Sequence, residues 1–224
     1  MADSKTLLIT GASSGIGAAT ATLAVQAGWR VALLARSKDK LDSLAAELGE
    51  AALAFECDVT DYAQLKSVVD QATGTWGRLD AVFANAGRGI GPGGFSGGDP
   101  DDWKNLVEVN VLGLMYTIRA TAEALADGGG RLLITSSVAG RRTMAGSVYG
   151  ASKWAATAIG YNAREELAEK GIGVTLIEPG MVDTPFFDDA KPDALRPEDV
   201  AEAVLFTLQR PDRVRLPELM ITPR

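Results

Sequence analysis

Short apolar runs recur along the chain and alternate with longer segments in which apolar residues return at helical spacing. Almost every position of these runs is apolar, which is typical of strands that helices cover on both faces. The runs predict strands at 6–10, 30–35, 51–56, 79–84, 131–136 and 173–178, with a last strand in the C-terminal VRLPELMI. The periodic segments between them predict helices at 15–27, 38–48, 61–75, 100–126, 147–170 and 197–209.

Regular alternation of strand and helix predicts an α/β fold of the doubly wound Rossmann type, with a mostly parallel central sheet flanked by helices on both faces. No repeat, low-complexity tract or linker divides the chain, so we expect residues 1–224 to form a single domain. The glycine-rich stretch 87–100 follows the fourth strand, where such a sheet opens its ligand crevice. Pro217 removes a ladder donor from the last strand, which favours an edge position or a bulge.

Charge and residue counts narrow the classes of function. The net charge is −7 and no basic run reaches three residues, so a nucleic-acid partner is not expected. No apolar run approaches the roughly 18 residues of a membrane span and no signal peptide is recognised, so we expect a cytoplasmic protein that does not bind membranes. The single Cys57 is interpreted as a small buried residue, and the lack of histidine removes the commonest metal ligand, so no metal site is expected.

The stretch TGASSGIG at 10–17 admits two interpretations. Gly11, Ser13 and Gly15 match the GxSxG elbow of serine hydrolases, whereas Gly11, Gly15 and Gly17 form a glycine-rich turn that holds a phosphate. A chain without histidine gives Ser13 no ordinary triad partner. The turn also joins a predicted strand to a predicted helix, whose N-terminal amides and dipole attract anions. The phosphate-binding interpretation is therefore favoured.

TGASSGIG closely resembles the cofactor loop of the classical short-chain dehydrogenase/reductase family, and CDVTD, NAG, VAG, VYGASK and PGMVDT resemble further motifs of that family in the same order. The resemblance implies hydride transfer between a nicotinamide cofactor and a small carbonyl or alcohol substrate. It also implies a homodimer or homotetramer formed through two long helices. The implied cofactor contacts are Gly11, Ser13, Ser14, Gly15, Ile16, Gly17, Arg36, Asp58, Val59, Asn85, Ala86, Gly87, Tyr149, Lys153, Pro179, Gly180, Val182 and Thr184.

The end of the second predicted strand bears on the choice of cofactor. Ala35 stands where an acidic residue would bind the adenosine ribose, and Arg36 follows it. The planar donors of arginine suit a 2′-phosphate, so NADP(H) is the preferred cofactor. Ser14 occupies a position where the family often has a second basic residue, and therefore NAD(H) use stays possible. Arg36 could also be an exposed residue at a helix start, and Asp58 could cap the helix near 61.

Tyr149 and Lys153 are four residues apart in a predicted helix and therefore share one face. A nearby cation lowers the pKa of a phenol, ordinarily about 10, by roughly 1 to 3 units. The resemblance implies that Tyr149 transfers the proton, that Lys153 also binds the nicotinamide ribose, and that Asn110 holds a water beside the lysine.

Two serines adjoin the VAG motif and are candidates to bind the reacting oxygen. The motif selects Ser137, whereas the family's usual spacing to the tyrosine selects Ser136. We choose Ser137, because alternation along the strand end sets which side chain faces the site. The expected substrate wall comprises 88–95, 138–145 and the segment after 184; its prominent side chains are Phe95, Met144, Phe186 and Phe187, with Arg141 and Arg142 expected to face water.

A non-catalytic nucleotide sensor or scaffold on the same fold is the alternative function. Such a protein would keep the glycine loop but tend to lose the serine, tyrosine or lysine, and this chain retains all three.

Overall fold

Seven strands form one sheet in the computed structural model, which describes residues 4–187 and 189–224. The strands are β1 (Thr6–Thr10), β2 (Arg30–Ala35), β3 (Ala52–Glu56), β4 (Ala81–Ala84), β5 (Arg131–Thr135), β6 (Gly173–Pro179) and β7 (Glu218–Ile221). They lie in the order β3-β2-β1-β4-β5-β6-β7, and every pairing between neighbours is parallel. The doubly wound α/β fold is confirmed, and its sheet is wholly parallel.

Helices fill the connections between the strands. They are α1 (Gly15–Gln26), α2 (Lys38–Leu48), α3 (Tyr62–Trp76), α4 (Gly94–Gly97), α5 (Pro100–Val107), α6 (Leu114–Ala126), α7 (Val148–Ala168) and α8 (Pro197–Leu208), with 3₁₀ turns at Gly49–Ala51 and Val138–Gly140. Within the described residues no helix is both long and apolar enough to cross a membrane.

One predicted helix, 100–126, is wrong as a continuous element. A π-helical turn at Glu108–Gly113 separates α5 from α6. A π turn inserts an extra residue into the helical ladder and is common at functional sites. Here it carries Asn110, whose side chain bonds the backbone of Arg88 in the preceding loop instead of facing solvent.

Alternate strand residues supply two separate cores, one on each face of the sheet. On β1, Leu8 faces the core built with α3, α6 and α7, whereas Leu7 and Ile9 face the core built with α1, α2 and α8. Cys57 belongs to the first core, and burial raises the pKa of its thiol to about 12, as suits a packing residue.

The last strand lies at the sheet edge, as Pro217 predicted. Pro217 immediately precedes β7, and its carbonyl accepts a hydrogen bond from the Leu176 amide of β6 at 3.0 Å. Proline is tolerated at this position because its carbonyl accepts a hydrogen bond and its missing N–H is not needed in the ladder.

Candidate active site

The turn between β1 and α1 is built from glycines that no other residue could replace without strain. Gly11 and Gly15 have φ values of +68° and +52°, the left-handed region. A Cβ at Gly17 would lie 2.2 Å from the Gly11 carbonyl oxygen. Ser14 precedes α1 in extended conformation, and its side chain makes no capping hydrogen bond to the helix. The first amides of α1 therefore face the crevice as donors for an anion.

Two other loops close on this turn. A Cβ at Gly11 would lie 2.9 Å from the Ala86 Cα after β4, and a Cβ at Gly15 would lie 3.0 Å from Thr184 Cγ2 after β6. The loops that follow β1, β4 and β6 thus meet at the carboxyl end of the sheet, where an open α/β fold binds its ligand.

Asn85 joins the ends of three strands. Its Nδ2 donates to the Thr10 carbonyl at 3.2 Å, and its Oδ1 accepts from Thr135 Oγ1 at 3.1 Å. Thr10 Oγ1 in turn accepts the amides of Asn85 and Ala86 at 3.0 and 3.1 Å. Asn85 and Ala86 are among the predicted cofactor contacts. Neither Thr10 nor Thr135 is predicted from the sequence, because their role depends on which strands are neighbours.

Lys153 is almost wholly buried, with 5% of its surface exposed. Its Nζ donates to the Thr135 carbonyl at 2.9 Å and lies 5.8 Å from the centroid of the Tyr149 ring. Ser147 caps α7 by accepting the Gly150 amide at 2.9 Å, which places Tyr149 in the first turn and Lys153 one turn later. Burial lowers the pKa of Lys153 to about 8.

The pKa of Tyr149 moves in the direction opposite to the one predicted. Burial raises it to about 12, and a hydrogen bond with Ser137 opposes the rise only in part. The prediction that the neighbouring lysine lowers this pKa is wrong for this structure, because loss of water around the phenolate outweighs the attraction of a cation over the ring.

The two candidate serines have different surroundings. Ser136 Oγ lies 2.7 Å from Thr157 Oγ1 and donates to the Lys153 carbonyl at 3.2 Å, so it faces α7. Ser137 Oγ accepts the Ala139 amide at 3.1 Å and reaches the Pro179 carbonyl at 3.3 Å. Only Ser137 of this pair has a hydrogen bond with Tyr149.

Asn110 approaches the lysine from the π turn. Its Oδ1 accepts the Arg88 amide at 2.8 Å, and its Nδ2 donates to the Arg88 carbonyl at 3.0 Å and to Ser152 Oγ at 3.1 Å. A Cβ at Gly87 would lie 3.4 Å from Asn110 Oδ1 and 3.7 Å from Lys153 Nζ. The structure therefore brings Asn110 and Lys153 close to the same side of one glycine.

The remaining predicted contacts of the adenine half lie around α2 and α3. Arg36 is exposed just before α2, and Ser13 lines a groove against that helix together with Lys40. Asp58 does not cap α3, because Asp61 does so by accepting the Gln64 amide at 3.0 Å.

Asp58 instead accepts the amide and hydroxyl of Thr60 at 2.9 and 2.8 Å. Val59 is buried against Gly113 of the π turn, where a Cβ would lie 2.7 Å from Val59 Cγ2. Ile16, in the first turn of α1, packs on the second core.

The PGMVDT segment has both core and crevice positions. Gly180 donates its amide to the Ile221 carbonyl at 2.7 Å, and Val182 is buried in the second core. Val182 therefore turns away from the crevice, whereas Thr184 lies on Gly15. Pro179 ends β6 and offers its carbonyl to Ser137.

Arg141 does not face water as expected. Its Nε donates to the buried Glu178 carboxylate at 2.7 Å, and its Nη2 lies 2.6 Å from a Glu218 carboxylate oxygen. Arg142, Met144 and Phe95 are exposed. Phe186, a side chain of the expected substrate wall, packs on Tyr149 with ring centroids 5.6 Å apart.

Comparison with known proteins agrees with this architecture. The family model for short chain dehydrogenases matches residues 5–194. An uncharacterized oxidoreductase of Staphylococcus aureus (strain MRSA252) is 35% identical over 225 residues, covering 98% of this chain and 97% of the relative.

Solved structures extend the similarity to proteins with bound nicotinamide nucleotides. An alcohol dehydrogenase from the archaeon Thermococcus sibiricus, complexed with 5-hydroxy-NADP, is 32% identical with a TM-score of 0.91, covering 98% of this chain and 96% of that chain. A 3-ketoacyl-(acyl-carrier-protein) reductase from Brucella melitensis, complexed with NADH, is 28% identical with a TM-score of 0.88, covering 96% of each chain. The sequence motifs, the parallel sheet and these relatives agree, and the chain belongs to the short-chain dehydrogenase/reductase family of oxidoreductases.

Proposed function

We propose that residues 1–224 act as a single NADP(H)-preferring oxidoreductase domain that transfers a hydride between nicotinamide and the carbon of a small carbonyl or secondary alcohol. The observation that carries the proposal is the meeting of Ser137, Tyr149, Lys153 and Asn110 beside the glycine turn at the carboxyl end of the sheet. A proton donor, its cation and a phosphate cradle lie within one crevice.

The crevice fits a nicotinamide nucleotide. Its phosphates would take the first amides of α1, where Gly11 and Gly17 leave room for a close approach. Thr184 and Pro179 would border the nicotinamide half, and Lys153 would bind the ribose there. When bound, the cofactor supplies the hydride; the protein supplies orientation and proton transfer.

The proton chemistry follows from the environments of three side chains. A Tyr149 pKa of about 12 keeps the phenol protonated at neutral pH, so that it can donate to the oxygen of a carbonyl being reduced. Ser137 would donate a second hydrogen bond to that oxygen. Lys153, buried and cationic below its pKa of about 8, would stabilise the phenolate left behind. Asn110 would hold a water that links the lysine to solvent.

The preference for NADP(H) rests on Arg36, which is exposed between the end of β2 and the start of α2. Its guanidinium would pair with the 2′-phosphate. Relatives complexed with NADP-type and NAD-type cofactors both exist, so NAD(H) is included as a secondary cofactor.

A homodimer or homotetramer is part of the proposal, together with a cytoplasmic location and no nucleic-acid or membrane partner. Exposed apolar side chains support association through the two long helical segments: Val107, Leu112, Met115, Trp154 and Tyr161. Light scattering gives the stoichiometry.

The test is Tyr149→Phe, which deletes the hydroxyl and keeps the ring. Nicotinamide absorbance, followed with a panel of carbonyls and alcohols, should show kcat/KM falling about 100-fold or more. Tyr116→Phe is the matched control, since Tyr116 packs on Tyr62 at 5.7 Å, away from the crevice, and should retain parental rates. A Tyr149→Phe rate within about threefold of the parent contradicts the acid–base role. Cofactor binding without turnover of any substrate favours the non-catalytic sensor.

A further inference from the structure

An aromatic side chain outside the catalytic group lies directly on the reactive tyrosine. The Phe186 ring packs on Tyr149 with centroids 5.6 Å apart and planes at 64°. Phe187 packs on Phe186 at 5.2 Å and 72°. Both phenylalanines belong to the segment that follows β6. They form an apolar wall beside the hydroxyl that would meet the substrate oxygen.

The opposite side of Phe186 is closed by backbone. A Cβ at Gly89 would lie 3.1 Å from Phe186 Cζ and 3.2 Å from Cε1. The ring therefore occupies a slot between Tyr149 and Gly89 whose width depends on residue 89 having no side chain. Phe186 keeps 42% of its surface exposed, so part of the ring stays open to contact with a bound group.

The cations nearest this slot are already engaged. Arg88 forms an ion pair with Asp102, and Arg141 bridges Glu178 and Glu218. Lys153 donates to a carbonyl behind the tyrosine.

Two further cations belong to the outer rim. Lys191 lies over the Phe187 ring at 5.6 Å, with the contacts running in series from Tyr149 through Phe186 and Phe187 to Lys191. Arg142 is exposed on the neighbouring loop. The surface next to the reacting oxygen thus favours an uncharged group over a carboxylate.

We propose, on the basis of the oxidoreductase function above, that Phe186 selects the substrate by packing against a flat, uncharged apolar group on the carbonyl carbon. The substrate class is aryl ketones and aldehydes and the corresponding secondary or benzylic alcohols. Offset or edge-to-face packing of the substrate ring on Phe186 fixes the carbonyl against Tyr149. A carboxylate in the same place loses its water, and the neighbouring Arg88 already has Asp102 as its partner.

The experiment compares three carbonyls with NADPH: acetophenone, 2-butanone, and phenylglyoxylate, in which a carboxylate replaces the methyl group of acetophenone. The parent should reduce acetophenone with a kcat/KM about tenfold or more above each of the others. Phe186→Ala should lower the acetophenone to 2-butanone ratio about tenfold, because the packing partner is lost.

A pair of glycine variants tests the slot without touching Phe186. Gly89→Ala should lower the same ratio, since its methyl group would displace the ring. Gly91→Ala is the matched control in the same loop, because its methyl group would meet Asp102 Oδ2 at an ordinary 3.7 Å, and it should keep the parental ratio. NADPH fluorescence titration of every variant tests whether the cofactor crevice is intact.

Turnover without an aryl preference, or a preference for phenylglyoxylate, overturns this assignment and leaves the hydride-transfer proposal standing. An unchanged ratio in Phe186→Ala also overturns it. Failure of the parent to reduce any of the three carbonyls overturns this assignment, whereas the hydride-transfer proposal fails only if the wider panel of carbonyls and alcohols also gives no turnover.

Discussion

Burial acts on both members of the reactive pair and moves their pKa values in opposite directions. It raises the pKa of Tyr149 to about 12 and lowers that of Lys153 to about 8, because each loses water around its charged form. The phenol is consequently a proton donor at neutral pH, the state that carbonyl reduction needs. Alcohol oxidation needs the phenolate, and the lysine ammonium over the ring is placed to stabilise it.

The two serines offer a residue-scale test. Ser137→Ala should lower kcat/KM about 100-fold, as removal of one donor to a reacting oxygen usually does. Ser136→Ala should keep kcat/KM within about threefold and instead lower the free energy of unfolding by about 1 kcal/mol, because its hydroxyl bonds Thr157 in the core. Initial rates and urea unfolding midpoints measure the two effects. The reverse pattern would transfer the catalytic role to Ser136.

At the scale of elements, an ion cluster joins the turn after β5 to the two strands at the sheet edge. Arg141 follows the Val138–Gly140 turn and binds Glu178 of β6 and Glu218 of β7. Burial raises the pKa of the Glu178 carboxyl, although the hydrogen bond and charge of Arg141 oppose the rise. Glu178 immediately precedes Pro179, whose carbonyl accepts a hydrogen bond from Ser137, so the ion cluster lies next to the segment that holds the proposed catalytic serine.

Arg141→Met should destabilise the fold by about 2 to 4 kcal/mol, because it leaves Glu178 buried without its hydrogen-bond donor and without the cation that contacts it. Pairing it with Glu178→Met should recover most of the loss, since an apolar pair needs no partner. The exposed Arg142→Met is the control and should change the unfolding free energy by no more than about 0.5 kcal/mol. Urea denaturation gives all three values. A neutral Arg141→Met would show that the cluster contributes nothing to stability.

The strands and the Tyr149–Lys153 pair could be predicted from sequence because both depend on local pattern: apolar runs in one case and a four-residue spacing in the other. The π turn could not be predicted, because it accompanies a hydrogen bond between the Asn110 side chain and the backbone of Arg88, 22 positions away in the sequence. The ion pair of Arg141 depends on Glu178, which lies 37 positions later. The direction of the Tyr149 pKa depends on burial, which no spacing reveals.

At the scale of the whole molecule, a net charge of −7 opposes the approach of an anionic dinucleotide. Attraction for the phosphates must therefore be local, from the first amides of α1 and from Arg36 at the next strand end. The proposed preference for NADP(H) would therefore depend on a short-range ion pair with Arg36 and not on the net charge of the protein.

Thermal unfolding reports this preference without turnover, because a ligand that binds only the folded chain raises Tm. At equal concentration, NADPH should raise the Tm of the parent about 3 to 5 °C more than NADH, which corresponds to roughly tenfold tighter binding. Arg36→Ala should remove the difference. Arg119→Ala, an equal loss of charge on α6 where Arg119 pairs with Glu123, should retain it. Equal shifts by both cofactors in the parent would refute the preference.

The amide side chain of Asn85, bonded to β1 on one side and to β5 on the other, has a consequence for ligand affinity. Three strand ends are fixed to one another by the chain's own donors and acceptors, so the floor of the crevice is shaped when the sheet assembles. Conformational freedom there is lost during folding, and an arriving nucleotide has little left to immobilise. Pre-organisation of this kind lets a modest set of contacts hold a large ligand firmly.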